Sequence, residues 1–201
     1  HYAQIRTEQA VERAEVALVV CDAAEGVTSE DLRVADLAMR SGCATLIALN
    51  KWDVGTTDVD DARARLTRKL RLRPEAVTCS ALTGRNIGTL LGKAITLADK
   101  AAERAPTPAL NRMVADIVAT TPPPSRHNRR LRLYYAAQIG TSPPRIAIQV
   151  NDRRLLTRDW AYHLENRLRE AYGLRGVPLV IDYVPRTRRE TPRGGRSDVK
   201  T

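Results

Sequence analysis

Two uninterrupted apolar runs stand near the start of the chain, Val16-Ala-Leu-Val-Val-Cys21 and Ala44-Thr-Leu-Ile-Ala-Leu49. Short runs without polar alternation are the signature of strands buried on both faces of a parallel sheet. Between them Ser29 is placed to cap a helix, with Glu30 and Asp31 in its first turn and Gly42 where a helix C-terminus wants it. Leu32, Ala35 and Met39 form the apolar stripe of that helix. Asp58 is placed to cap a second helix with Val59, Ala62, Leu66 and Leu70 at helical spacing, and a third short run begins at Val77. A third helix uses Ile87, Leu90, Leu91, Ala94, Ile95, Ala98 and Ala101 and ends near Arg104. All of these apolar positions read as core. Strands alternating with helices build βαβ units, hence an α/β fold on a parallel sheet.

After the stretch Ala105-Pro-Thr-Pro108 the pattern changes. Thr107 and Pro108 read as a cap and a first-turn proline, with Leu110, Met113, Val114, Ile117 and Val118 on one helical face. Thr121-Pro-Pro-Pro-Ser125 breaks the chain. Leu131 to Ile139 reads as a strand, Gly140 to Pro144 as a hairpin connection, and Ile146, Ile148 and Val150 as an alternating second strand. Thr157 begins a helix carrying Trp160, Ala161, Leu164, Leu168 and Tyr172, and Val177 to Val184 is a last strand. The order α-β-β-α-β describes a small α+β layer. From Arg186 onward Arg, Gly, Pro and Thr follow without periodicity, the composition of a disordered tail.

Charge sharpens this division. The 201 residues carry a formal net charge of +10. Residues 1–106 hold 15 Lys+Arg against 15 Asp+Glu, residues 107–185 hold 12 against 6, and residues 186–201 hold 6 against 2. All of the excess therefore falls in the second half, which suggests that this half meets a polyanion. High arginine usage alone would give the same count. Cys21, Cys43 and Cys79 are odd in number and lie in or beside strands, so they read as small buried hydrophobes in a reducing compartment. His1, His127 and His163 form no metal-spaced group. No apolar stretch approaches membrane-spanning length and no signal peptide is legible at the N-terminus, so a cytoplasmic location is expected.

The chemistry concentrates where the second run ends, at Asn50-Lys51-Trp52-Asp53. Guanine presents two adjacent donors, its ring N–H and its exocyclic amine, and one carboxylate accepts both. Adenine offers no such pair, so an aspartate here selects guanine by leaving the wrong base unpaired. On four residues alone a polar turn capping a strand serves as well. The setting adds weight, because Val77-Thr-Cys-Ser80-Ala81-Leu82-Thr83-Gly84 repeats the strand-to-loop transition and again leads into a helix.

A strand–NKxD–helix–strand–SAL–helix order resembles the C-terminal half of a P-loop GTPase domain. The resemblance implies that Asn50, Lys51 and Asp53 recognise the base. It also implies that the loop of Ser80, Ala81 and Leu82 adds a backbone N–H to the guanine oxygen and buttresses the aspartate. No G-x-x-x-x-G-K-[ST] loop and no D-x-x-G loop occurs in these residues. The chain is therefore expected to begin just after the D-x-x-G element, with Ile5 to Ala14 as the helix that follows it. Further residues narrow the resemblance to the Der (EngA) family of bacterial ribosome-assembly GTPases, which carry two GTPase domains and then a KH-like domain. They are Asp22-Ala-Ala-Glu-Gly-Val-Thr28 in the first half, and Thr107-Pro108 with Leu110-Asn111, Tyr134, Ala136, Gln138, Pro143-Pro144, Asn151 and Tyr172 to Pro178 in the second.

What the resemblance implies is a partial P-loop GTPase domain over 1–104, a KH-like domain over 107–185 and a basic tail over 186–201. GTP or GDP would be the nucleotide, with Mg2+ in the intact parent held by residues absent here, so no catalytic and no metal-ligating residue is expected in this stretch. Partners would be ribosomal RNA of the large subunit and the upstream GTPase domains, without a membrane. Arg126, Arg129, Arg130, Arg132, Arg153 and Arg154 are the RNA-contact candidates; a solvated surface or an interdomain face would use them equally. The spacing Gly173-Leu-Arg-Gly176 is that of a KH-domain RNA clamp, but it lies between a helix and a strand, where a C-cap and turn explain it. A non-enzymatic RNA-binding module on an α/β scaffold is the alternative. A GTPase of the Era type, with its helix–GxxG–helix loop, fits less well.

Overall fold

The computed structural model describes residues 14–54, 58–126 and 128–186. Most of the expected helix over 5–14, and of the tail expected over 186–201, lies outside them.

The first half is a three-stranded parallel sheet, β1 (Val16–Asp22), β2 (Ala44–Asn50) and β3 (Ala76–Thr78), in the order β1-β2-β3. Helix α1 (Ser29–Arg40) and helix α2 (Val59–Lys69) pack on one face, and helix α3 (Ile87–Ala102) packs on the other. The cap of α1 is one residue earlier than expected. Thr28 accepts from the Asp31 N–H while the Asp31 carboxylate accepts from the Thr28 N–H, a reciprocal box that Ser29 cannot make from inside the helix. Asp58 caps α2 as its sequence position suggests.

β2 is buried along its length, as continuous apolarity requires. β1 departs from that expectation. It is an edge strand, and Leu18 and Val20 are 39% and 56% exposed. These residues pair in register with Leu46 and Ala48, on the sheet face that α3 covers, and Leu91 and Ile95 of α3 are also exposed. Four residues read as core are thus open, on the sheet face and helix next to a strand whose outer edge has no partner among the described residues.

The second half opens with helix α4 (Thr107–Thr120), capped at Pro106 rather than at Thr107, with Pro108 in its first turn. A two-residue hairpin, β4 (Ser125–Arg126) and β5 (Arg129–Arg130), precedes β6 (Leu133–Gly140), β7 (Arg145–Val150), helix α5 (Arg158–Ala171) and β8 (Val180–Pro185). The sheet runs β6-β7-β8, antiparallel and then parallel. Trp160, Leu164 and Leu168 of α5 and Leu110, Val114 and Ile117 of α4 cover the Ile146, Ile148 and Val150 face. The last ladder starts three residues later than expected; Val177, Pro178 and Leu179 are buried without joining it.

The halves share a core, because Ala44 and Ala101 of the first belong to the apolar cluster of the second. Their main chains are also joined. The Gly176 N–H donates to Leu72 O and the Thr45 N–H donates to Gly176 O, both at 2.8 Å. Arg169 lies buried at this seam and donates to the carbonyls of Leu72, Leu174 and Val177. Burial pushes its pKa down to about 10, which leaves it charged at neutral pH. At the other side Ser142 N–H reaches Ala101 O at 2.9 Å, and the Gln138 side chain bonds Ala105 N–H and Glu103 O.

Candidate guanine-binding site

Asp22, Asn50 and the loop after Thr78 all lie at the carboxyl ends of the parallel strands, with Asp22 and Asn50 in direct register across β1 and β2. Open α/β sheets bind ligands at that end. The second half docks at the opposite end, against Ala44 and Thr45, so the candidate site is left open.

The NKxD loop and the SAL loop are physically tied. Asn50 Oδ1 accepts from the Ala81 N–H at 2.9 Å, and the Trp52 N–H donates to Cys79 O at 3.1 Å. Lys51 sits at φ 61°, in the left-handed region, and this turns its side chain back toward β1. There Nζ bonds the Asp22 carboxylate. Asp22 is held below the usual aspartate range by that lysine first and by the Ala24 N–H second, and the same contact raises Lys51.

The SAL loop is shaped from within. Ser80 is fully buried, its hydroxyl accepts from Thr83 N–H at 3.1 Å, and its own N–H donates to Arg85 O at 3.0 Å. Asn86, at φ 59°, ties the loop's end to Thr78 O at 2.9 Å before α3 begins. Asp53 is exposed, and its carboxylate has no hydrogen bond or ion pair among the described residues. Leu82 is 88% exposed. Thus the Asn50–Ala81 bond ties the two loops together, Lys51 is anchored on Asp22 and Ser80 on its own loop, and Asp53 offers a carboxylate without a partner among the described residues. Two details differ from what the resemblance implies. The Ala81 N–H is engaged by Asn50, and no hydrogen bond joins Ser80 to Asp53 among the described residues.

Asp22 and Asn86 were not singled out from sequence as site residues. The signal for Asp22 was its place at the end of the neighbouring parallel strand.

The arginine candidates fall into a second, separate group. Arg129 approaches Asp152 at 3.4 Å, and Arg154 clamps the same carboxylate through Nε and Nη2 at 3.1 and 3.0 Å. Asn151 bonds the main chain of Arg130 and Arg132, fixing the hairpin against the turn that carries Arg153. Arg126 lies in β4. Arg130, Arg132 and Arg153 are exposed without an ion pair among the described residues.

Cys21, Cys43 and Cys79 are all buried, and burial raises each thiol pKa, that of Cys21 to about 12. They are inert at neutral pH. Among the described residues no group of His, Cys, Asp and Glu could hold a metal ion, and no helix is long and apolar enough to cross a membrane.

Residues 104–183 match the family described as the C-terminal KH-domain-like region of EngA bacterial GTPase enzymes, and residues 4–100 match the elongation factor Tu GTP-binding domain. The chain is 37% identical over 195 residues to the GTPase Der of Chloroflexus aggregans, covering 94% of this chain and 43% of that one. The chain belongs to the Der family. It is 38% identical over 185 residues to the GTPase Der of Pelotomaculum thermopropionicum, with 89% and 42% covered. To that of Symbiobacterium thermophilum it is 37% identical over 201 residues, with 97% and 42% covered. The chain thus spans less than half the length of these Der proteins. The matches agree with the observed architecture, a partial P-loop GTPase sheet followed by a KH-like domain.

Proposed function

We propose that this chain is the guanine-recognising and KH-like portion of a GTP-binding, GTP-hydrolysing factor in assembly of the large ribosomal subunit. Residues 1–104 form the latter half of the GTPase domain, 107–185 the KH-like domain and 186–201 a basic extension. The observation that carries the reading is the Asn50–Ala81 bond. It joins the two loops that a guanine would touch and leaves the Asp53 carboxylate unoccupied on the same rim.

The donor set fits the base end of GTP or GDP. Asp53 accepts the two guanine donors, the Lys51 stem lies along the ring while its head stays on Asp22, and Asn50 holds the loops in register. These residues act on the base, and phosphate binding, Mg2+ and with them hydrolysis are assigned to the phosphate-binding half of the intact parent. The exposed Leu18, Val20, Leu91 and Ile95, with the edge of β1 that has no partner among the described residues, support placing that half there. The parent acts in the cytoplasm, on ribosomal RNA, with its upstream GTPase domains as further partners.

The test is nucleotide binding by the intact parent. It should take GDP and reject ADP, and Asp53→Ala should collapse that preference while leaving the melting temperature within a few degrees. Unchanged discrimination would remove Asp53 from the site.

A further inference from the structure

Along the seam between the two halves runs an open groove of about 790 Å³. One wall is the end of α2 and the turn after it, residues 67–73, and the other is the end of α5 and the turn at 173–175. Six cationic side chains line it, Arg68, Lys69, Arg71, Arg73, Arg169 and Arg175, against the single carboxylate of Glu170.

Part of this charge has a structural use. Arg71 pairs with Glu165 and lies 4.4 Å from the centroid of the Tyr162 ring. Arg169 is consumed by three carbonyls. Two helix C-termini meet here, and their partial negative charges, about half a charge each, offset roughly one cation. Glu170 is already bonded to Arg167. Arg68, Lys69, Arg73 and Arg175 remain exposed with no carboxylate partner among the described residues. This excess contrasts with the Asp152 cluster, where one carboxylate holds two of the arginines.

We propose that this seam groove is a track for the phosphate backbone of RNA, its cations supplied by both halves. The apolar residues beneath it, Leu70, Leu72 and Leu174, are 2%, 8% and 5% exposed and already packed, so nothing apolar is offered to a protein helix. The nearby aromatic ring, Tyr162, is flanked by Arg71 and by Arg158, which leaves no free platform for a base. Charge without a stacking surface suits the sugar-phosphate chain and little sequence preference. Because its walls come from different halves, the groove exists only while they stay docked. The proposal shares with the function above only the premise that the chain meets RNA, and it places the contact away from the arginines of 126–154.

The experiment is a salt titration of a fluorescein-labelled single-stranded RNA oligonucleotide of mixed sequence on the full-length protein. Wild type is compared with Arg68→Gln/Lys69→Gln/Arg73→Gln in the groove and with Arg130→Gln/Arg132→Gln/Arg153→Gln at the other cluster. Each phosphate contact contributes about 0.7 to the logarithmic salt slope for single strands, so the groove variant should lose about 2 from the slope and bind roughly fortyfold more weakly near 0.15 M salt. Arg68→Lys/Arg73→Lys should retain most of the slope, which separates charge from misfolding. A loss confined to the 130–153 variant would overturn the groove and keep the RNA premise. Wild type that shows no salt-dependent RNA binding would overturn both. Displacement of the RNA by polyglutamate at equal charge concentration would assign the groove to an acidic protein instead and overturn the proposal.

Discussion

Gly176→Ala should loosen the union of the two halves. Gly176 sits at φ +72°, where an alanine costs about 1 kcal/mol. A Cβ there would lie 2.6 Å from Thr45 O and 3.4 Å from Pro74 Cα. Both neighbours are main-chain atoms of the other half, so relief means drawing the loop away from β2. That stretches the Gly176–Leu72 and Thr45–Gly176 hydrogen bonds, each worth about 1 kcal/mol net and more if a buried partner is left unmet. The expected total is about 3–4 kcal/mol. Gly173→Ala is the matched control, at φ +62° with nothing within 4 Å of its Cβ, and it should cost only about 1 kcal/mol. For a chain of this size the difference corresponds to roughly 4–12 °C in melting temperature. Urea and thermal unfolding followed by tryptophan fluorescence read it directly, since Trp52 reports on the first half and Trp160 on the second. Equal costs for the two substitutions, within about 0.5 kcal/mol, would refute the seam as a rigid union.

Three further outcomes follow from the same geometry. Arg169→Met keeps the stem but takes a charged donor from three carbonyl oxygens, of which Leu72 O keeps its bond from Gly176 N–H and Leu174 O its bond from Val177 N–H, so it should destabilise by about 2–4 kcal/mol in urea unfolding, and Arg169→Lys should recover only part of that because one ammonium lacks the fork. The Asp22 carboxyl, followed by carbon NMR, should titrate below an ordinary aspartate and move up in Lys51→Met. Because its folded pKa is the lowered one, the stabilisation it gives is present above the ordinary aspartate pKa of about 3.9 and is lost as pH falls through the depressed value. The 201 residues alone should show neither tight GTP binding nor turnover, because phosphate and metal contacts supply most of the affinity and the transition-state stabilisation. Submicromolar affinity by calorimetry, or phosphate release sensitive to Asp53→Ala, would contradict that.

Element types were readable because each apolar period matched its neighbours: the βαβ alternation before Pro106, and α-β-β-α-β after it. The limits of legibility are specific. Continuous apolarity in β1 does not say which strand lies at the edge, so Leu18 and Val20 read as core although one face of the strand is open. Thr28 and Ser29 are both good caps, and the choice rests on Asp31 standing three residues after Thr28. Of the guanine site, Asn50, Lys51, Asp53 and Ser80 to Leu82 were visible as loop chemistry, whereas the Lys51–Asp22 contact needed the strand register. The charge count misled in a different way. Residues 1–106 are neutral overall, yet Arg68, Lys69, Arg71 and Arg73 are clustered in space with Arg175 of the basic half. Gly176 had a local explanation as part of a turn, and only the docked Thr45 carbonyl shows why a side chain is excluded.

The base preference of an Asp53→Asn variant of the intact parent tests the central claim most directly. The amide replaces one acceptor by a donor, so it clashes with the exocyclic amine of guanine and matches the carbonyl that xanthine carries at that position. Competition between labelled GDP and unlabelled GTP or XTP should show affinity for GTP falling by roughly a hundredfold or more and XTP becoming the preferred nucleotide. A variant that keeps the wild-type preference for GTP would contradict the assignment of this loop as the guanine site.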